Sequence, residues 1–441
     1  MKKTKAILTL SMVCSISAGC ANITPVSDKI LSEKISKITT EQSQATAVAS
    51  VPLGSFKGAL KTVSSSHPQV KTAQAQAKRA AQAVNERTAG LKPQAGITAR
   101  AGQYNDGNGW SQAAALGVDV TQLIYDGGAT RSGIDAAQAA RVKADYSVTA
   151  TRNEILHSSI SAWIDVWSLK QRIAQMNLRL DEAQPLINRI KKMAQTGLAD
   201  RTIIEKADKS LLDVQLERQR LETSLSEATG KFENYFGRVP GNLPSPTNLA
   251  SKAELNLALK QWKASPQVAM QAVEVVIAEY ELSIAEADLK PQVMASVGST
   301  APMSSDEPVQ SVGVMVKYTF GDGGRRKSRL AGAKERLQAA QSDLENVLNQ
   351  NKSAALSAKL TYANTHAGIA LLEDQIVVLK QSRDTARSQI ASAQSNLNTL
   401  LETEIDLYRA EDRLLSMRAE KMKIESRILQ LGGVLEKHIS R

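Results

Sequence analysis

The chain has 441 residues, of which 22% are charged and 4% aromatic, and its formal net charge is +11. Two Cys exclude a disulfide-rich scaffold, and four scattered His (His67, His157, His366, His438) lack metal-ligand spacing, so no cofactor is expected. The 55 Lys and Arg are interleaved with 44 Asp and Glu along helical faces, which reads as solvated helix surface rather than a nucleic-acid patch.

The N-terminus reads as an address. Lys2, Lys3 and Lys5 precede a short apolar stretch, Ala6 to Ile16, too short to span a bilayer, which predicts a signal peptide over residues 1–19. It ends in Ser17-Ala18-Gly19-Cys20, which resembles the lipobox of bacterial lipoproteins; that resemblance makes Cys20 the lipidated residue, whereas ordinary cleavage after Ala21 leaves no lipid. No later stretch reaches 18 consecutive apolar residues, so no transmembrane helix is predicted. Residues 20–54, polar and rich in Ser, Thr, Lys and Gln, are expected to be an N-terminal anchor and linker.

The remainder is one unit written twice, over 55–250 and 251–441. His67-Pro68-Gln69-Val70 recurs as Ser265-Pro266-Gln267-Val268, and Leu91-Lys92-Pro93-Gln94 as Leu289-Lys290-Pro291-Gln292, both 198 residues on. Gly117-Val118-Asp119-Val120 answers Gly313-Val314-Met315-Val316, and Asp126-Gly127-Gly128 answers Asp322-Gly323-Gly324, both at 196. Ala207, Leu211 and Leu212 answer Ala410, Leu414 and Leu415 at 203. The growth from 196 to 203 is seven residues, an insertion that keeps a coiled-coil seam in phase, and it predicts a second long helix about 10 Å longer than the first.

Each unit reads helix, two strands, long helix, helix. In the first, period-two alternation predicts strands at about 93–104 and 112–125, then a long helix at about 129–196 and a helix at about 201–236. In the second, strands are expected at about 291–301 and 311–320, a long helix at about 324–398 and a helix at about 402–437. The strands are apolar on one side (Ala95, Ile97, Ala99; Val312, Val314, Val316) and polar on the other, where Arg100, Asp119 and Lys317 fall. Strands of about ten residues in an exported chain fit a transmembrane β-barrel, with those three residues in its lumen. Pro185 should kink the first long helix near residues 181–184. The following helices carry heptads, Leu211 to Phe232 and Leu414 to Leu435, each with one basic interruption, Arg218 and Lys421. The fold class is mainly α with a small β part.

This duplicated arrangement behind a signal peptide resembles the TolC-like outer-membrane channel family. The resemblance rests on Leu-Lys-Pro-Gln before each first strand, on Val-Asp-Val-Thr-Gln-Leu-Ile-Tyr-Asp-Gly-Gly at 118–128, and on Tyr-Thr-Phe-Gly-Asp-Gly-Gly at 318–324. It implies a homotrimer whose twelve-stranded outer-membrane β-barrel, four strands per subunit, continues as a long α-helical coiled-coil periplasmic tunnel. It further implies an exit duct for type I protein secretion or drug efflux. Its partners would be a periplasmic adaptor (membrane fusion) protein and an inner-membrane ABC or proton-driven transporter. The alternative considered is a periplasmic adaptor or coiled-coil structural lipoprotein, which has one hairpin or none and needs no duplicated strand pair.

The resemblance also places the tunnel tip. Its turn motif, a Gly followed ten residues later by Ala, matches Gly197-Leu198 with Ala207; in the second unit Ala410 fits, with Leu400 in the Gly position. Counting from Leu400, the acid of the periplasmic aperture is Asp406, beside Glu402 and Glu404, with Arg409 where the family can have a second acid. Ile203 replaces an acid of the closed tip, so Arg201 to Glu402 is the candidate lock, and a ring of Asp406 would favour cations. Gly321-Asp-Gly-Gly-Arg-Arg-Lys-Ser328 looks superficially like a phosphate loop, but Arg326 replaces the Gly required before the Lys. It is read as the strand-to-helix junction, with Arg325, Arg326, Lys327 and Arg329 near the inner-leaflet interface. No catalytic constellation appears, so the chain is not expected to be an enzyme.

Overall fold

The computed structural model describes residues 28–45, 51–105, 110–195, 201–237, 242–302, 308–391 and 397–440. The chain divides into two compact units, Met1–Ser50 and Val51–Arg441. In the first unit, α1 (Asp28–Ala45) replaces much of the expected linker. Its eighteen residues contain no Gly or Pro, and Leu31, Ile35 and Ile38 recur at helical spacing, all exposed. The linker reading fails at its other end as well. Val51 is 4% exposed in the core of the second unit, and its N–H donates to the Phe236 carbonyl at 3.2 Å.

The second unit is mainly helical with four antiparallel strands. Helices α2 (Phe56–Ser66) and α3 (Pro68–Ala89) lead into β1 (Gln94–Asn105), β2 (Trp110–Tyr125), the long helix α4 (Ala129–Gln195) and α5 (Arg201–Phe236). The order recurs in α6 (Lys252–Lys260), α7 (Pro266–Ala287), β3 (Gln292–Pro302), β4 (Val309–Lys317), α8 (Arg325–Ala391) and α9 (Leu397–Leu431), closed by α10 (Leu435–Ser440). His67 and Ser265 cap α3 and α7, each followed by Pro at the first helical position, where a missing N–H costs nothing. Helix α4 is continuous through Pro185, which deprives the Asp181 carbonyl of its usual donor.

The strands form one sheet in the order β1-β2-β3-β4. Lys317 pairs with Gln292, the first residue of β3, so residues 318–320 have no partner and β4 ends earlier than the expected 320. The Asp-Gly-Gly motifs turn each last strand into its long helix. Gly127 and Gly128 (φ 73° and 99°) and Gly323 and Gly324 (φ 65° and 86°) take left-handed backbone that only Gly adopts without strain. Asp126 accepts the N–H groups of Gly128 and Thr130 at 3.0 and 2.7 Å, and Asp322 those of Gly324 and Arg326, both at 3.1 Å. A carboxylate thus occupies the place where a phosphate loop would hold phosphate.

The repeat offset needs correction. Helix α4 runs at least to Gln195, and α9 is already formed at Leu397, so α8 has no room for seven residues more than α4. Helix α9 is already formed at Leu397, ahead of the expected 402 and inside the expected span of α8, and it stops at Leu431 rather than 437. Gly237 and Gly433, both left-handed (φ 83° and 69°), stand 196 residues apart, the offset of the Asp-Gly-Gly turns. The reason is the seam itself: a heptad pattern slid by seven residues maps onto itself, so local likeness selected the wrong heptad. At the true offset Arg218 answers Leu414 and Lys421 answers Leu225, so the basic breaks are not matched. Arg218 pairs with Glu222 of its own helix at 3.5 Å, while Lys421 lies 6.0 Å over the Tyr362 ring of α8 and 3.8 Å from Glu425. Leu400, expected at the second tip turn, is instead a buried residue in the first turn of α9.

The main core gathers three of the four Phe around Trp163, which is 0% exposed. Its ring centroid lies 5.3 Å from Phe56, 5.6 Å from Phe232 and 5.4 Å from Phe236, and its indole N–H donates to the Pro244 carbonyl at 3.1 Å. Leu60, Leu156, Ile160, Ile428 and Leu435 complete this cluster from both repeats.

Beside this core, His157 Nδ1 meets Ser426 Oγ at 2.7 Å, and that hydroxyl donates to the Lys423 carbonyl, so Nδ1 carries the proton of a neutral ring. Burial pushes the His157 pKa down to about 4; the Arg427 charge adds to this and Glu154 opposes it. The unfolded chain, with an ordinary His, therefore binds a proton between about pH 6.5 and 4 that the folded chain refuses. Stability should fall as pH drops through that window and level off below it, by about 3 kcal/mol in total. Thermal midpoints of wild type and His157→Gln measured from pH 7 to 4 test this; parallel curves would contradict it.

Candidate functional site

Two surfaces concentrate the unusual chemistry. The first is the sheet. Cross-strand pairing aligns Gly96, Asp119, Gly298 and Ser311 in one row, and Thr98, Gly117 and Thr300 in the next. Arg100 pairs with Ala115 and Lys317 with Gln292, so Arg100, Asp119 and Lys317 share one face. Asp119 stands between two glycines and has no side chain beside it on either ladder. A Cβ at Gly117 would lie 3.0 and 3.2 Å from the hydroxyls of Thr98 and Thr300, so small residues alternate with polar ones across this face. The opposite face is apolar and bare: Ala95, Val120, Val297 and Val312 form one row, the last three 38%, 53% and 83% exposed. An alternating sheet of this kind separates water on one side from an apolar medium on the other.

The second surface lies where α4 of the first repeat meets α9 of the second. Arg172, Gln175 and Arg179 share one face of α4, because they are three and four residues apart. Arg172 donates through Nε and Nη2 to the two oxygens of Asp412 at 2.6 and 2.8 Å. Arg179 grips Glu411 in the same forked manner at 3.0 and 2.8 Å, and Gln175 adds a third bond at 2.8 Å. Lys380 of α8 approaches Glu411 at 3.7 Å. All four members of the two forked pairs are between 12% and 16% exposed, so the charges attract one another with little screening by water. The Asp412 hydrogen bonds hold the Arg172 guanidinium above its ordinary pKa. One turn before Asp412, Tyr408 packs on Met176 and Leu221; burial, then the Asp412 and Glu217 charges, hold its proton far more tightly than usual.

Part of the expected tunnel tip falls on described residues. Cys20, Gly197 and Leu198 lie outside the described residues, as does the side chain of Arg201, which opens α5. Glu402 is 3.8 Å from Lys206 of α5, so a cation other than Arg201 reaches it. Glu404, 12% exposed, pairs with Arg387 of α8 at 2.6 Å and is turned into its own hairpin. Asp406 is exposed but lies 3.6 Å from Arg409 on the same helix, which offsets its charge. Counting from Leu400 placed Asp406 at the aperture. At the 196 offset Gly197 answers Ala393, and six residues on is Thr399, which is uncharged. The forked pairs went unnoticed in the sequence; their signal is the acidic doublet Glu411-Asp412 opposite Arg172 and Arg179, visible only once α4 and α9 are known to touch.

A family model described as outer membrane efflux protein matches two segments of this chain, residues 59–238 and 257–433. The outer membrane efflux protein BepC of Brucella suis biovar 1 is similar at 21% identity over 353 residues, covering 75% of this chain and 76% of that one. Among solved structures, VceC of Vibrio cholerae is similar with a TM-score of 0.76 and 16% identity, over 86% of this chain and 96% of that one. The open-state MtrE channel of Neisseria gonorrhoeae is similar with a TM-score of 0.72 and 16% identity, over 85% and 88%.

Proposed function

Because this chain belongs to the outer membrane efflux protein family, and is thus a non-enzymatic efflux channel of the outer membrane, we propose that three copies close head to tail into one duct. The observation that carries this reading is that every layer of the second unit ends in two free edges. The sheet runs β1-β2-β3-β4, the helices next to it α3-α4-α7-α8, and the helices beyond α5-α4-α9-α8. One edge is always of the first repeat and the other is always β4 or α8. Unpaired strand edges are not tolerated in lipid, so β1 of one copy must meet β4 of the next. The helical edges carry matching apolar surface, Leu212 and Leu216 on α5 and Leu356, Leu360 and Leu371 on α8, all more than half exposed. A head-to-tail contact of this kind closes into a ring. Three copies of four strands make twelve, the assembly that the family resemblance implies.

In such a ring the face bearing Arg100, Asp119 and Lys317 lines the bore, and the forked pairs clasp neighbouring hairpins of the tunnel. A periplasmic adaptor and an inner-membrane transporter, ABC or proton-driven, would supply cargo and energy. Cys20 would be acylated. The test is outer-membrane fractionation with palmitate labelling. Wild type should run as a heat-labile trimer carrying label, and Cys20→Ser should keep the trimer and lose the label, because the barrel anchors itself. A monomer under mild extraction would overturn the ring, and an unlabelled wild type would overturn the lipid.

A further inference from the structure

The level at which the sheet hands over to the long helices is strongly basic. Residues 88–94, 122–131, 288–292 and 317–329 hold eight Lys and Arg against three Asp, an excess of five charges in a chain whose net charge is +11. All three carboxylates are engaged. Asp126 caps its own turn, Asp322 holds the N–H and the Nε of Arg326, and Asp288 takes Arg329. Arg326 is consumed further by the Asp288 carbonyl at 3.0 Å and lies 5.8 Å over the Tyr318 ring. Arg325 and Lys327, both exposed, find no acid among the described residues.

These cations sit in the first turn of α8, at the positive end of the helix dipole, where they work against helix stability. The duplication supplies an internal control. At the 196 offset Arg325, Arg326 and Arg329 answer Ala129, Thr130 and Gly133, and only Lys327 has a basic counterpart, Arg131; yet the turn geometry is the same, since Ser132 and Ser328 donate to Gly128 and Gly324 at 2.9 and 3.0 Å. The fold thus makes this junction with one cation, Arg131, where the second copy has four, so the excess of Arg325, Arg326 and Arg329 is not needed for the turn. The residues just before it complete the pattern. Tyr318 and Phe320 end the apolar run Val312-Val314-Val316 and are 55% and 94% exposed, whereas their first-repeat counterparts are Gln122 and Ile124. Exposed aromatics followed at once by unpaired cations are the signature of a membrane–water boundary.

We propose that this junction docks the phosphate headgroups of acidic phospholipids in the leaflet facing the periplasm, with Arg325 and Lys327 as the principal contacts. The inference rests on the barrel reading above, which sets the apolar face of the sheet in lipid. The experiment reconstitutes the full-length channel and measures lipid retained after purification by native mass spectrometry, from phosphatidylglycerol and phosphatidylcholine mixtures, with single-channel conductance recorded in parallel. Wild type should retain phosphatidylglycerol preferentially. R325Q/K327Q should reduce that preference about 30-fold, at about 5-fold per cation near a charged surface, with conductance unchanged. The charge-conserving R325K/K327R should keep the preference. Equal retention of the two lipids by wild type, or an undiminished preference in R325Q/K327Q, would overturn the proposal. So would inorganic phosphate displacing phosphatidylglycerol at low millimolar concentration, since the site would then take a free anion. Absence of conductance in wild type would count against the barrel instead.

Discussion

Glu411→Ala is expected to destabilise the folded chain by about 3 kcal/mol and to make the resting channel leaky. Glu411 receives Arg179, Gln175 and Lys380 from two different helices, and it is 12% exposed. Removing one partner of a buried pair costs about 3–5 kcal/mol, because the other charge is left without compensation. The lower end applies here, since Arg179 keeps Glu182, three residues on along α4. The double variant Arg179→Ala/Glu411→Ala should recover part of the loss, because no orphaned guanidinium remains. Thermal denaturation in detergent and conductance in planar bilayers measure both effects. By contrast, Lys206→Ala breaks an exposed contact to Glu402 at 3.8 Å and should cost less than about 1 kcal/mol. If Lys206→Ala opens the channel and Glu411→Ala does not, the clasp has been put on the wrong pairs.

This contrast marks how far the sequence could be read. The Asp-Gly-Gly turns were legible because their chemistry is local: two left-handed residues and a carboxylate collecting N–H groups, all within five positions. The strands and their faces were legible for the same reason, since period two needs no knowledge of the partner. The tip was not. A heptad repeats every seven residues, so Leu211 and Leu212 fit Leu414 and Leu415 as well as they fit any pair one heptad away. Only fixed marks such as Gly237 and Gly433 break that degeneracy. Every tip residue counted from Leu400 depends on which heptad is chosen. The forked pairs were illegible for a different reason: Arg172 and Asp412 are 240 positions apart, and nothing local joins them. Helix α1 was hidden by its composition, because Ser, Thr, Lys and Gln look like linker unless the spacing of Leu31, Ile35 and Ile38 is weighed.

Trp163→Ala should produce the largest loss of stability, about 3–5 kcal/mol, the range for truncating a buried Trp in a packed core. The side chain is fully buried and touches Phe56 from α2 and Phe232 and Phe236 from α5, so its removal opens a cavity that three aromatic rings line and cannot collapse together. Phe232 and Phe236 are already stacked at 4.2 Å, which leaves them little freedom to fill the gap. The indole bond to the Pro244 carbonyl is a smaller part of the loss: Trp163→Phe keeps most of the apolar contact and should cost about 1–3 kcal/mol, chiefly for the unpaired carbonyl. The sheet lies elsewhere in sequence and shares none of these residues, so on the proposed ring Trp163→Ala should still form an assembly that resists mild detergent while its unfolding midpoint drops. Phe320→Ala is the matched control. It removes the one Phe that this core does not use, 94% exposed past the end of β4, and in detergent it should leave the midpoint within about 0.5 kcal/mol of wild type. Equal losses for Trp163→Ala and Phe320→Ala would mean that the aromatic cluster is not the core on which the helical part depends.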